Sequence, residues 1–220
     1  MKETNPLNFF GLGKTAHLCT TASVVRAKVY ISKERKGNGF MLGLTKHVVE
    51  LHEHDEMWVK NATQTILFLR DKFGENAVDI QHAGSTAIKN IKAKPIIDIS
   101  VGVADMKKVT EMIPLLMEAG IIHRPVHDSP EYMMFILGDL STGLRTHHIH
   151  INLYGSKGWH DRINFRDFMN AHPDKAKEYE ALKVNLMSKY HDNRQMYSDS
   201  KIPYFENIFT QANEWRRSIE

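Results

Sequence analysis

The sequence is poor in cysteine and lacks any long apolar run. Cys19 is the only cysteine among 220 residues, so no disulfide can form within the chain, and a reducing compartment, the cytoplasm, is expected. No stretch approaches the roughly 18 consecutive apolar residues that a transmembrane helix needs, so we expect no association with a membrane. Internal repeats, low-complexity tracts and the G-x-S-x-G nucleophile motif are also absent. These absences exclude a disulfide-stapled domain and argue against a serine hydrolase of that type.

The composition is that of an ordinary globular domain. Hydrophobic residues make up 42% and charged residues 25% of the chain, which suffices to bury one core and favours one domain at this length. The net charge of +3 is unevenly distributed, because residues 1–45 carry seven Lys/Arg against two acids whereas residues 46–220 carry 22 against 24. Nucleic-acid-binding domains usually present a strongly basic face. A mildly acidic body therefore makes nucleic acid an unexpected partner.

The basic head, residues 1–45, differs in kind from the rest of the chain. It shows no sustained hydrophobic period of a helix or a strand, and it lacks the apolar core of a secretory signal peptide. Its segment GLGKT is similar to part of a phosphate-binding loop but lacks the full spacing of that motif. We predict that residues 1–45 are a flexible extension, or lie upstream of a true start at Met41, and that residues 46–220 form one domain.

From residue 46 onward the pattern predicts an α+β domain. Strands appear early and helices late, with only one evident strand–helix–strand unit, which favours a mixed or antiparallel sheet flanked by helices and a helical C-terminal third. Strands are predicted over 47–51, 77–83, 94–103, 131–138 and 144–154, and helices over 56–73, 106–119, 159–171, 174–190 and 200–217.

Asp98 interrupts the most hydrophobic of these strands. Because side chains alternate along a strand, Asp98 shares its face with the small residues Ser100 and Gly102, which leaves room beside the carboxylate. Burial of an unpartnered carboxylate is costly. Two partners remain open at this point, the backbone N–H groups of the preceding Gly-Ser-Thr turn or a metal ion.

The Gly-Ser-Thr turn itself suits a phosphate. Gly84 lets the backbone approach a ligand closely, while Ser85 and Thr86 offer hydroxyl groups. A helix that begins after the turn would add unpaired N–H groups. The turn follows a predicted strand, and the carboxylate lies on the next strand about a dozen residues later.

The segment HHIHIN, residues 147–152, brings two histidines into register. On a strand, His148, His150 and Asn152 project from one face. Two imidazoles spaced in this way can ligate one metal or contact one phosphate. The alternative is that both histidines are structural.

Four separated segments resemble the GrpB family, over about four-fifths of the chain from residue 46 onward. They are HAGSTAI with KAKPIIDISVGV, RTHHIHIN, FRDFMNAHPDKAKEYEALK and YSDSKIPYFENI. The resemblance implies a nucleotidyltransferase-like α+β fold, in which a Gly-Ser turn holds a nucleoside triphosphate and an Asp-bearing strand supplies metal ligands. Relatives also occur fused to dephospho-coenzyme A kinase, which implies an adenine-nucleotide context.

The resemblance also implies the site residues. Asp98 takes the place of the first of two paired acids, whereas Ser100 stands where the second acid belongs, as GrpB-type sequences generally show. A single carboxylate with histidines suits a softer metal better than magnesium. The implied catalytic residue is Asp98, the implied metal ligands are Asp98, His148 and His150, and the phosphate contacts are assigned to Gly84, Ser85, Thr86, Lys94, Arg145 and Lys201.

Three functions remain open from the sequence. The first is metal-dependent nucleotidyl transfer or a related phosphoryl reaction on a nucleotide or phosphorylated small molecule, with Mg²⁺ or Mn²⁺. The second is a binding module that has lost its chemistry and assists a partner enzyme of coenzyme A biosynthesis; the missing second acid favours it. The third is a His/Asp hydrolase, with Zn²⁺ as the alternative metal, in which a bound water is the nucleophile.

Overall fold

A computed structural model describes residues 40–45, 48–139 and 141–220. Within these ranges, no helix combines the length and the apolar character needed to cross a bilayer. The strands are β1 Ala77–Ala83, β2 Ile97–Val103, β3 Ile122–His123, β4 Tyr132–Asp139 and β5 Leu144–Leu153. The helices are α1 Glu56–Phe73, α2 Met106–Glu118, α3 Lys157–Ala171, α4 Pro173–Tyr190, α5 Arg194–Asp199 and α6 Ile202–Ile219.

The described strands form one mixed sheet in the order β1-β2-β5-β4-β3. The two strands β2 and β5 are parallel, and every other neighbouring pair is antiparallel. The Ile/Val-rich sequence of β2 fits its place inside the sheet, where both faces are covered. The predicted α+β class, the mixed sheet and the helical C-terminal third are confirmed.

One face of the sheet carries the main hydrophobic core, beneath α1 and α2. The odd-numbered residues of β2 and the central ones of β5, such as Ile97, Ile99 and Ile149, are fully buried there. Helix α1 covers them with a stripe at spacings of three and four residues that runs from Trp58 to Phe73. The bounds of α1 agree with those of the helix predicted in this part of the sequence.

The opposite face of the sheet meets α3 and the C-terminal helices. Helix α3 approaches β2 closely at Gly102, where a Cβ atom would lie 3.1 Å from the ring of Trp159. The C-terminal helices bury their own apolar cluster, which includes Phe165, Tyr179 and Ile208. The polar residues of the sheet therefore lie between the sheet and these helices.

Two local predictions are wrong and two elements were missed. Residues 48–51 form no strand; Val49, for example, donates its N–H to His191 instead of joining a ladder. A three-residue 3-10 turn, Ser85–Ala87, stands where a helix was predicted to follow Gly84. Both β3 and α5 are too short for a hydrophobic period to reveal them.

Residues 40–45, which their composition assigned to the extension, pack against the domain. Leu42 and Leu44 are each only 5% exposed. The indole N–H of Trp58 donates to the carbonyl of Met41 at 3.0 Å, and Leu44 pairs with Arg145. The domain therefore includes these residues. The rest of the predicted extension, with the segment GLGKT and His47 of the predicted first strand, lies outside the described residues.

Candidate functional site

The parallel pairing of β2 and β5 brings the predicted metal ligands together. Asp98 lies opposite His148, and Ser100 lies opposite His150. One carboxylate oxygen, Asp98 Oδ1, is 3.3 Å from His148 Nδ1 and 3.2 Å from His150 Nε2. We call these three side chains the triad. Register alone sets this geometry, because equivalent faces of adjacent strands point the same way.

Two further side chains contact the imidazole nitrogens that do not face Asp98. The hydroxyl of Tyr132 lies 2.8 Å from His150 Nδ1, and the guanidinium of Arg194 lies 3.4 Å from His148 Nε2. Since a guanidinium only donates, Nε2 of His148 must accept. This assignment places the proton of His148 on Nδ1, where it is donated to Asp98.

The charges of the triad follow from its surroundings. Burial lowers the pKa of His150 to about 4 and also lowers the pKa of His148, so both imidazoles are neutral near pH 7. Burial alone would raise the pKa of Asp98, but the hydrogen bonds donated by His148 and His150 outweigh it and hold that pKa well below its ordinary value. The triad thus carries one negative charge.

The Gly-Ser-Thr turn lies directly against Asp98. Gly84 has a φ of +68°, and a Cβ atom on it would lie 2.7 Å from Asp98 Cβ. Glycine is required here both by the left-handed backbone and by this close approach. The hydroxyl groups of Ser85 and Tyr179 are 3.2 Å apart, so Ser85 faces α4 as well as the triad.

A cavity of about 510 Å³ opens between the triad and the C-terminal helices. Its polar end is formed by the triad, Gly84 and Ser85, and four cationic side chains line it: Lys94, Arg162, Lys183 and Lys201. Aromatic rings from α3, α4, α5 and α6 complete the wall. A volume of this size is typical of small-molecule sites.

Each of the four cations lies over an aromatic ring. Lys94 and Lys201 lie 5.1 Å and 4.6 Å from the ring centre of Tyr197. Lys183 is 4.6 Å from the ring of Tyr179, and Arg162 is 5.1 Å from that of Tyr132. Within the described ranges, none of the four forms an ion pair with a carboxylate. Burial lowers the pKa of Lys201 to about 8 and that of Lys183 to about 7.

Four of the six residues assigned to phosphate binding line the cavity: Gly84, Ser85, Lys94 and Lys201. The structure places Thr86 and Arg145 elsewhere. Thr86 is completely buried, and its hydroxyl is bonded to His82 at 2.9 Å. Arg145 lies on β5 beside Leu44 and does not line the cavity. We therefore leave both residues out of the candidate site.

Sequence reasoning missed Arg162, Lys183, Tyr132 and Arg194. Lys183 had a detectable signal, because it lies four residues after Tyr179 on the buried face of α4. A lysine is rarely buried, so its charge favours a solvated position. The other three carried no local signal, since their role depends on which elements meet at the cavity.

The triad has a geometry that fits a metal ion. A tetrahedral ion with bonds of about 2.1 Å needs ligand atoms about 3.4 Å apart, and the two distances to Asp98 Oδ1 are 3.3 Å and 3.2 Å. One ligand atom from each residue lies within 4.8 Å of the others. The contact with Arg194 opposes a metal at this place. A metal bound to Nδ1 of His148 would move the proton of that imidazole to Nε2, which would then face the guanidinium of Arg194, itself a donor. The donor set of one carboxylate and two imidazoles suits zinc or manganese better than magnesium.

Fold and cavity together define an α+β protein with a cation-lined cavity over the central strands of a mixed sheet. A family model described as GrpB protein matches residues 48–211. The glutamate-rich protein GrpB of Alkalihalophilus pseudofirmus is 40% identical over 174 residues, which cover 78% of this chain and 99% of that protein. The chain belongs to the GrpB family.

Two other proteins are similar to this chain. The crystal structure of conserved protein GrpB from Enterococcus faecalis has a TM-score of 0.70 and 25% identity, and the match covers 76% of this chain and 99% of that one. A dephospho-CoA kinase of Mycolicibacterium paratuberculosis is 24% identical over 192 residues, which cover 77% of this chain but only 47% of that enzyme. The likeness to the kinase therefore concerns about half of its length.

Proposed function

We propose that this protein binds a phosphorylated small molecule, a nucleotide in the first instance, in the cavity between the sheet and the C-terminal helices. The Gly-Ser turn and the Asp-bearing strand would then have the roles that the resemblance to the nucleotidyltransferase-like superfamily implies. A divalent metal at Asp98, His148 and His150 would accompany the ligand, and nucleotidyl transfer is the reaction that this arrangement could support.

The observation that carries the proposal is the set of cations without acidic partners. A buried charge needs compensation, because its desolvation costs several kcal/mol. Here Lys94, Arg162, Lys183 and Lys201 face one cavity, and each lies over an aromatic ring. Lys183 also donates to the carbonyl of Lys92. The carboxylates of Asp98 and Glu180 act on the lysines without forming an ion pair. A polyanionic ligand is the species that would compensate all four.

Each group would have a distinct part in binding. The lysines and Arg162 would neutralise phosphate oxygens through charge-assisted hydrogen bonds, and Gly84 with Ser85 would allow a phosphate to lie close to the backbone. The triad would hold the metal, which when bound supplies charge neutralisation next to the phosphate. Tyr132 and Arg194 would fix the orientation of the two imidazoles.

Titration calorimetry with ATP and with pyrophosphate, first without metal and then with Mn²⁺ or Zn²⁺, tests the proposal. We expect binding without metal, because the cations do not depend on it. We expect Mn²⁺ or Zn²⁺ to strengthen ATP binding by about tenfold or more, and Asp98→Asn to abolish that increase while leaving metal-free binding intact. The matched control is Asp128→Asn, which removes a carboxylate bonded to His123 outside the cavity.

The outcomes separate the parts of the proposal. Absence of binding by both anions under all conditions would overturn the whole. Binding that no metal strengthens would overturn the metal site and leave the anion site standing. Zinc that stays bound through purification, and is lost in a His148→Ala, His150→Ala double variant, would instead favour the His/Asp hydrolase.

A second candidate is a binding module without chemistry, and one observation favours it. Ser100 occupies the position of the second acid and is completely buried, where it contacts Asn152 at 3.2 Å. One carboxylate is a weak basis for two-metal phosphoryl transfer. The relatives named dephospho-CoA kinase connect such a module with coenzyme A metabolism, so dephospho-coenzyme A belongs among the ligands titrated.

A further inference from the structure

We infer that the ligand carries a planar aromatic group, separated from its phosphate by a spacer of about the length of a ribose, and that this group binds against Phe165, Phe205 and Phe209. We call these three rings the aromatic wall. This inference rests on the proposed function, because it assumes that the cations hold the phosphate. It adds the part of the ligand that the aromatic wall would select.

The aromatic wall is a continuous surface of the cavity. All three rings line it. Phe205 and Phe209 on α6 are stacked with centres 5.3 Å apart and planes 20° apart, and Phe165 on α3 meets both edge-on at 5.5 Å and 5.8 Å. Phe205 and Phe209 are partly exposed, whereas Phe165 is buried behind them. Rings that are already packed on one another offer a rigid face for another ring. Stacking of this kind is tolerant of the identity of a base.

Helix α6 sets the distance between the cations and the aromatic wall. Lys201 lies immediately before α6, and Phe205 and Phe209 follow four and eight residues later. With a rise of about 1.5 Å per residue these positions lie about 6 Å and 12 Å along the axis. The ammonium group of Lys201 is 5.7 Å from the ring centre of Phe205. A ring that binds against Phe209 must therefore be separated from a phosphate held by Lys201, as it is in a nucleoside 5′-phosphate and is not in phenyl phosphate.

The wall is a poor environment for a sugar alone. Apart from the triad and the cations, the described lining offers five polar side chains that could bond a hydroxyl, Ser85, Tyr179, Tyr197, Ser198 and Glu206. Ser85 and Tyr179 are already bonded to each other, and none of the five belongs to the aromatic wall. Hydroxyl groups that bury themselves without partners lose affinity. A simple sugar phosphate would therefore leave the aromatic wall unused.

Metal-free calorimetry at constant ionic strength with adenosine 5′-monophosphate, ribose 5-phosphate and phenyl phosphate tests the inference. We expect adenosine 5′-monophosphate to bind about tenfold or more tightly than either of the others, as the loss of one stacked base predicts. Phe209→Leu should remove this preference and leave ribose 5-phosphate binding unchanged. Phe209→Tyr keeps the ring and should keep the preference.

The control variant is Tyr154→Leu, since Tyr154 packs against Trp159 and does not line the cavity. Equal affinities for adenosine 5′-monophosphate and ribose 5-phosphate in the unmodified protein would overturn the aromatic wall alone. So would a Phe209→Leu variant that keeps its melting temperature and loses both ligands equally. Failure of every phosphate, pyrophosphate included, would overturn the proposed function together with this inference.

Discussion

At the scale of single residues, the lysines of the cavity carry an electrostatic cost. Burial is the main cause of the lowered pKa of Lys201, and repulsion by Arg194 adds to it. Burial likewise lowers the pKa of Lys183. Attraction by Glu180 opposes this effect, and repulsion by Lys201 adds to it. A bound anion favours the charged amines, so binding and protonation are linked.

This linkage predicts a pH dependence. Sulfate keeps a constant charge between pH 6 and 9, so any change in its affinity reports on the protein. We expect the affinity to fall as the pH rises through the values of about 7 for Lys183 and about 8 for Lys201, because each amine loses its proton there. Lys201→Met should weaken sulfate binding at pH 6.5 by about tenfold and flatten the upper part of the profile.

Calorimetry or a thermal-shift titration at several pH values measures this dependence. The control is Lys108→Met, because Lys108 is an exposed lysine on α2, away from the cavity. A sulfate affinity that stays constant from pH 6 to 9 in the unmodified protein would contradict the linkage.

The residues that the sequence identified share a simple origin. Alternation along a strand placed Asp98 with Ser100, and His148 with His150, and both placements agree with the structure. Lys183 was missed although it is only 2% exposed, because a lysine is almost never buried and the hydrophobic pattern gives it no weight. Residues that follow the alternation of a strand were predictable. A charged residue buried beside a cavity was not, because it departs from the usual hydrophobic pattern.

At the scale of elements, the sequence indicated which face of each strand is polar but not which strands lie next to each other in the sheet. It indicated which side of β2 and β5 carries polar groups, yet nothing in a local pattern says that these two strands pair in parallel. That pairing brings the triad together. The wrong strand at 48–51 has the same origin, since an apolar run is typical of a strand only if a partner strand is available.

The turn after β1 allows a test at this scale. Gly84→Ala adds a methyl group against Asp98 and strains a left-handed backbone. We expect it to lower the free energy of unfolding by about 2 kcal/mol or more, which is a fall in melting temperature of roughly 4 °C or more at this chain length. It should also weaken sulfate binding, because the added methyl group would displace Asp98 within the cavity that the cations line.

The matched variant is Gly143→Ala, where φ is +71° and a Cβ atom would meet nothing within 4 Å. It carries the backbone strain without the collision, so we expect a smaller loss of stability and normal sulfate binding. Thermal denaturation and titration of both variants decide the matter. Equal losses in the two would show that the contact with Asp98 is unimportant.

At the scale of the whole molecule, the boundary of the domain is open to experiment. Leu42 and Leu44 belong to the buried core, so a chain that begins after residue 45 loses both. Burying one leucine side chain contributes about 1.5–3 kcal/mol. We expect deletion of residues 1–45 to lower the melting temperature by roughly 6 °C or more.

Deletion of residues 1–39 provides the comparison, because it retains every described residue. We expect its melting temperature to stay within about 2 °C of that of the full chain. Differential scanning calorimetry of the two shortened chains measures both effects. A large loss on removal of residues 1–39 alone would show that the extension contributes to stability.

The cavity draws on segments that lie far apart in the chain, from Gly84 beside β1 to Phe209 in α6. A molecule held there would join the final helix to the middle of the sheet by contacts that the polypeptide itself does not make. An occupied molecule would thus hold α6 to the sheet more firmly than an empty one.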